Sequence, residues 1–169
     1  AEIKNVRLAG ADVSGSERVG GLVGQIIGNA TVANCSIDAA SKVTGNDSNT
    51  GGLIGAAQCG SASTISLSSL TNYAAVTNTA SSNSRAGGII GQVTTNANVT
   101  ITDCRNEGAV TAENGYAGGI VAAYQNGSLT INGCTNTKPL SDFTGAYKAD
   151  LIAWITSVRA LTINADGEV

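Results

Sequence analysis

Short alternations of apolar and polar residues recur along this chain, each a variant of one block. Val99-Thr100-Ile101-Thr102-Asp103-Cys104, Leu129-Thr130-Ile131-Asn132-Gly133-Cys134 and Ile65-Ser66-Leu67-Ser68-Ser69-Leu70 are three versions of it. Ala30-Thr31-Val32-Ala33-Asn34-Cys35 and Leu161-Thr162-Ile163-Asn164 are two more. Alternation with period two marks a strand with one buried face. It predicts Val99 and Ile101 inside, Thr100 and Thr102 outside. A shorter block follows the first four copies in the chain: Val43-Thr44, Ala75-Val76-Thr77, Ala109-Val110-Thr111 and Leu140-Ser141. No segment carries a useful length of 3.6-residue apolar stripe, which disfavours a helical solenoid.

Between these blocks lies a glycine motif: Gly21-Leu22-Val23-Gly24, Gly52-Leu53-Ile54-Gly55, Gly88-Ile89-Ile90-Gly91, Gly118-Gly119-Ile120-Val121 and a decayed Asp150-Leu151-Ile152-Ala153. Its leading aliphatic recurs at Leu22, Leu53, Ile89, Ile120 and Leu151, at intervals of 31, 36, 31 and 31 residues. Each repeat offers three short strand candidates between polar turns. That fits one coil of a right-handed parallel β-helix, the handedness following from the general preference of crossovers. Five coils stacked about 4.8 Å apart give a stub of roughly 24 Å. Glycine suits the corners because it accepts close backbone approach, and the aliphatic pair fills the interior. We divide one solenoid domain, 1–169, into a partial first coil (1–16), four repeats (17–142) and an atypical C-terminal coil or cap (143–169). Ile3, Val6 and Val13 match a repeat entered partway through, so the expectation is a piece of a longer polypeptide or a subunit stacking end to end.

The four near-intact copies resemble the GLUG motif, a short tandem repeat of bacterial surface proteins, certain secreted IgA-cleaving peptidases and filamentous adhesins. The resemblance covers roughly residues 17 to 153. It implies a secreted or cell-surface setting. The fourth copy departs with Ala122 and the fifth with Asp150 and Ala153. End repeats are often atypical. Phe143, Tyr147 and Trp154 cluster there and are read as a cap, with an aromatic ligand platform as the alternative.

Composition narrows the chemistry. Charged residues are 12%, aromatics 4%, and the net charge is −3. With no Lys/Arg run, nothing resembles a nucleic-acid footprint, and no apolar stretch reaches the roughly 20 residues of a membrane span. There is no histidine, which removes Ser-His-Asp, Cys-His and His-Glu-x-x-His chemistry. The peptidase activity of some GLUG-bearing proteins is therefore not carried over. No phosphate-cradling loop and no nonapeptide calcium repeat occurs. We expect no catalytic residue, metal or cofactor. A carbohydrate-active β-helix would need converging carboxylates. Aligned internally, Asp103 falls with Asn34, Ser69 and Gly133, while Glu107 falls with Tyr73 and Thr137; Asp38 lies two coils away, so no acidic column forms.

Cys35, Leu70, Cys104 and Cys134 share one repeat position and are read as a buried core ladder of small hydrophobes. A Cys104–Cys134 disulfide is the alternative. Asn72, Asn106 and Asn136 share another position and are read as a stacked amide ladder. Outward, Thr31, Ser66, Thr100, Thr130 and Thr162 form the candidate surface-binding column; Thr44, Thr77, Thr111 and Ser141 form a second. The long loop from Thr79 to Arg85 is a further contact candidate. Five Asn-x-Ser/Thr sequons occur, at Asn29, Asn34, Asn46, Asn98 and Asn126. The expected function is a non-enzymatic extracellular module for adhesion or spacing. Its partner would be a host or matrix protein, a glycan, or itself through the solenoid ends. A carbohydrate-binding or carbohydrate-active protein and an ice binder are the alternatives.

Overall fold

The alternating blocks become parallel strands that stack coil on coil. In the computed structural model the chain is a β-solenoid of about five turns, described for residues 1–59, 62–94, 96–157 and 159–164. A six-stranded sheet runs through Glu2–Lys4, Ala30–Ala33, Thr64–Ser68, Asn98–Thr102, Ser128–Asn132 and Ala160–Asn164. Its register pairs Thr31 with Ser66, Ser66 with Thr100, Thr100 with Thr130 and Thr130 with Thr162. As the alternation predicts, Val99 is 1% and Ile101 0% exposed.

Each of the first four coils carries five strand segments rather than the three expected, and the fifth carries four, a 3₁₀ turn taking the place of the other. The glycine motif is not one block but a corner flanked by two strands. Asn49–Gly51 precedes it and Ile54–Ala57 follows it in the second coil. The motif residues continue in register from Val23 to Ile54, Ile90, Val121 and Ile152. A further two-residue ladder (Arg7–Leu8, Ser36–Ile37, Thr71–Asn72, Arg105–Asn106, Thr135–Asn136) sits between the alternating block and the shorter one. Two-residue strands are too short to show a period, so the alternation could not reveal them.

The corner after each of the first five segments of the six-stranded sheet is left-handed. Asn5, Asn34, Ser69, Asp103 and Gly133 occupy it, with φ between 51° and 59°. Each donates its backbone N–H onward, as Ser69 does to Thr102 O at 3.0 Å and Asp103 to Asn132 O at 2.9 Å. Asn, Asp and Gly tolerate this conformation and serine does so less well. Ser69→Asn is therefore expected to stabilise the protein by about 0.5–1 kcal/mol. A higher urea midpoint at unchanged slope would confirm this; a lower midpoint would show that Ser69 is held by something other than its backbone angle.

The extra length of the 36-residue unit is shared between two loops. One runs from Thr79 to Ser84 and is pinned by buried Asn78, whose Nδ2 donates to Ser48 O and Thr50 Oγ1. Arg85 itself begins a strand, Arg85–Gly87. The other lies between strands Ile54–Ala57 and Thr64–Ser68. The second hydroxyl column also needs a correction. Thr44, Thr77 and Thr111 are in register, but the next place belongs to Thr144, bridged to Thr111. Pro139 leads into a 3₁₀ turn, Leu140–Asp142, which carries Ser141 away from the ladder. No helix among the described residues is long and apolar enough to cross a membrane.

The interior holds two apolar clusters. The larger contains Ile37, Val43, Leu53, Ile65, Leu70, Ile89, Ile101 and their neighbours. The smaller contains Val76, Ala86, Val110, Ala112, Ala117 and Phe143. Val43 belongs to the first, yet its register partner Val76 belongs to the second. The neighbouring column explains the split: Ile37 joins the two sides in one coil, and Asn72 and then Asn106 replace it in the next two.

Candidate functional site

The most extensive sheet, six strands across, presents an outer face lined by hydroxyls. Thr31, Ser66, Thr100 and Thr130 are half-buried along their strands, and Thr162 is exposed. Thr64, Asn98 and Ser128 form a parallel column on one side. Ser68, Thr102, Asn132 and Asn164 form one on the other, where Asn164 Nδ2 donates to Asn132 Oδ1 at 2.7 Å. Only Glu2 and Lys4, ion-paired to each other at the first strand, bring charge to these strands. Hydroxyls thus repeat about every 4.8 Å along the axis.

The two interior ladders occupy the places the repeats assign them. Cys35 is 1% exposed, Leu70 and Cys104 0%, and Cys134 is half-buried. Cys35, Cys104 and Cys134 are free thiols, so the Cys104–Cys134 disulfide is not formed. The hydrogen bond with Cys134, and then burial, push the Cys104 thiol far up. Held protonated, it is no nucleophile at neutral pH. In the amide ladder, Asn72 Nδ2 donates to Asn106 Oδ1 at 2.8 Å, and Asn106 Nδ2 to Asn136 Oδ1 at 2.9 Å. The run ends on Asp150, whose Oδ1 accepts from Asn136 Nδ2 at 3.0 Å.

The acids that a hydrolytic site would recruit are engaged locally. Asp103 holds a left-handed corner. Glu107 pairs with Arg105 Nε at 2.9 Å. Asp38 Oδ1 accepts from the Ser41 hydroxyl at 2.7 Å and from Gly10 N–H at 3.1 Å, and these bonds hold its carboxyl below the usual range. Among the described residues no three His, Cys, Asp or Glu side chains gather to hold a metal.

A second surface feature was only partly visible in the sequence, where Tyr147 and Trp154 carried the alternative of an aromatic ligand platform and Tyr116 was not singled out. Phe143 is buried in the smaller core cluster, but Tyr147 is 60% exposed and Trp154 half-buried, so the terminal aromatics do not form one cap. Tyr147 instead stacks on Tyr116, ring centroids 5.2 Å apart, and Trp154 stacks on the same ring at 5.3 Å. The Arg85 guanidinium carbon lies 5.6 Å from the Trp154 ring centroid. Asn49, Arg85, Tyr116 and Tyr147 are consecutive members of one register column. Trp154 faces them from the adjacent sheet, in register with Ala123 and, one coil earlier, Gln92. The signal was available: each column member stands at the same offset ahead of its glycine motif. Without the fold, nothing marked that position as outward-facing and close to Trp154.

Residues 15–44 match the family model of the GLUG motif. That span holds the first Gly-Gly-Leu-Val-Gly copy, the Thr31 alternation and the Val43-Thr44 block, which is one turn of the solenoid. No curated protein and no solved structure matches the chain.

Proposed function

We propose that this GLUG-motif repeat protein acts outside the cell as a non-enzymatic β-solenoid module of a bacterial surface or secreted protein, in adhesion or as a spacer. The observation that carries the reading is the hydroxyl-lined face of the six-stranded sheet, built in register across consecutive coils. Such a face offers repeated donors and acceptors at fixed spacing to a glycan or to an extended protein chain. The candidate acids support the same reading, since each serves a corner, an ion pair or a turn. A module with no outward ligand works as a stalk, its partner a further solenoid end.

An array of glycans and extracellular-matrix proteins tests the adhesive form. A specific hit is expected for the whole chain and is expected to vanish in Thr100→Lys/Thr130→Lys, which places two cations on the face. A hit that survives this change moves the contact elsewhere, and a blank array leaves the spacer form alone. Cleavage of an arrayed polysaccharide, lost on replacing Asp103 or Glu107, overturns the non-enzymatic reading.

A further inference from the structure

We propose that Arg85, Tyr116, Tyr147 and Trp154 form a binding site for a carboxylated pyranose, the acidic sugar unit of a glycan. The inference deepens the recognition reading above, on which it rests, and places a ligand class at a site away from the hydroxyl face.

The first observation is an uncompensated cation. Five of the chain's cationic side chains, on Lys4, Arg18, Lys42, Arg105 and Lys138, are ion-paired with carboxylates. Arg85 has no such partner among the described residues, although it is half-buried. Its Nη1 reaches Asn49 Oδ1 only at 3.4 Å, and its buried Nε has no hydrogen-bond partner. A guanidinium drawn out of water without a counter-charge is unfavourable, and an arriving carboxylate supplies two acceptors in the geometry its fork prefers.

The second observation is the aromatic surface beside it. Tyr116, Tyr147 and Trp154 come from two consecutive coils and stack at 5.2 and 5.3 Å. Tyr147 keeps 60% of its surface exposed. Stacked rings cover one another's facing sides, and Tyr147, last of its column, keeps an apolar ring surface open on the patch that carries the Arg85 charge. A pyranose matches that surface with its C–H face and the charge with its carboxylate. A neutral sugar leaves Arg85 unpaired, which a site built for a charged group rejects. A nucleic acid would need a wider cationic surface than one arginine in a chain of net charge −3.

Trp154 is the chain's one tryptophan, so its emission reports on this site alone. The experiment titrates the whole chain with tetragalacturonate, a hyaluronan tetrasaccharide and sialyllactose, each beside its methyl ester. The expected result is a saturable change in Trp154 emission with at least one acid form. Affinity should weaken as salt rises, and the ester should bind about tenfold more weakly. Arg85→Ala should bring the acid down to the level of the ester, while Tyr147→Ala weakens both and keeps their ratio. Unchanged urea midpoints show that the variants are folded. No emission change with any saccharide, or equal affinity for acid and ester, overturns the proposal. An acidic glycan that changes Trp154 emission with an affinity unaffected by Arg85→Ala overturns this site and leaves the adhesive reading standing. A Trp154 response accompanied by saccharide cleavage keeps the site and overturns the non-enzymatic reading.

Discussion

Replacing Gly52 with alanine is expected to lower stability by more than about 4 kcal/mol, enough to unfold the coils around it. The reason is space. A Cβ on Gly52 would lie 2.6 Å from Cγ of Asn72, and nearer still to the carbonyl oxygen of Gly88 in the next coil. Neither group can yield. The Gly88 carbonyl is backbone inside the stack, and the Asn72 carboxamide is fixed by bonds to Asn106 and Ala74. The same relation recurs, since a Cβ on Gly119 would meet Cγ of Asn136 at 2.7 Å. The control is Gly28→Ala, where the new Cβ meets nothing within 4 Å. That change should stay within about 0.5 kcal/mol of the parent. Urea midpoints compare the two, and a Gly52→Ala protein within 1 kcal/mol of the parent would mean that the coils are not packed this closely.

Replacing Asn106 with alanine is expected to destabilise by about 3–4 kcal/mol. This side chain is 0% exposed and meets its full bonding capacity. Nδ2 donates to Asn136 Oδ1 and to Gly108 O, both at 2.9 Å; Oδ1 accepts from Asn72 Nδ2 at 2.8 Å and from Gly108 N–H at 3.3 Å. Truncation strips three buried groups and the half-buried Asn136 of this partner and leaves a void. Isoleucine, the residue found at position 37 of the same column, fills the void but offers no bond to Asn72 or Asn136. Asn106→Ile should therefore remain destabilised, while replacing Asn72, Asn106 and Asn136 together by isoleucine should cost less than three times the single change. Strict additivity of the three would show that the amides act independently.

These two predictions join columns that the sequence displayed separately. The glycine pairs and the asparagine column were both legible, because each recurs at a fixed place in the repeat. Their contact was not, since it crosses the interior between separate segments of a coil, as from Gly52 to Asn72 or from Gly119 to Asn136. Asp150 shows the same limit. In the sequence it looks like a decayed glycine; in the fold its carboxylate ends the amide ladder. Asp103 was aligned correctly with Asn34, Ser69 and Gly133, yet only the backbone angle explains why those residue types share that place. Ser141 was misplaced because the local Pro139 turn overrides the repeat. The aromatic and arginine patch needs two adjacent sheets and three coils at once, and no single repeat contains it.

In-register coils are locked by an amide ladder lying against the glycine pairs. Side-chain amide NMR tests this most directly. Nuclear Overhauser contacts are expected from the Asn106 carboxamide protons to those of both Asn72 and Asn136, with exchange much slower than for the exposed amide of Asn164. Carboxamides of Asn72 and Asn106 that exchange as freely as Asn164, without contacts between coils, would contradict it.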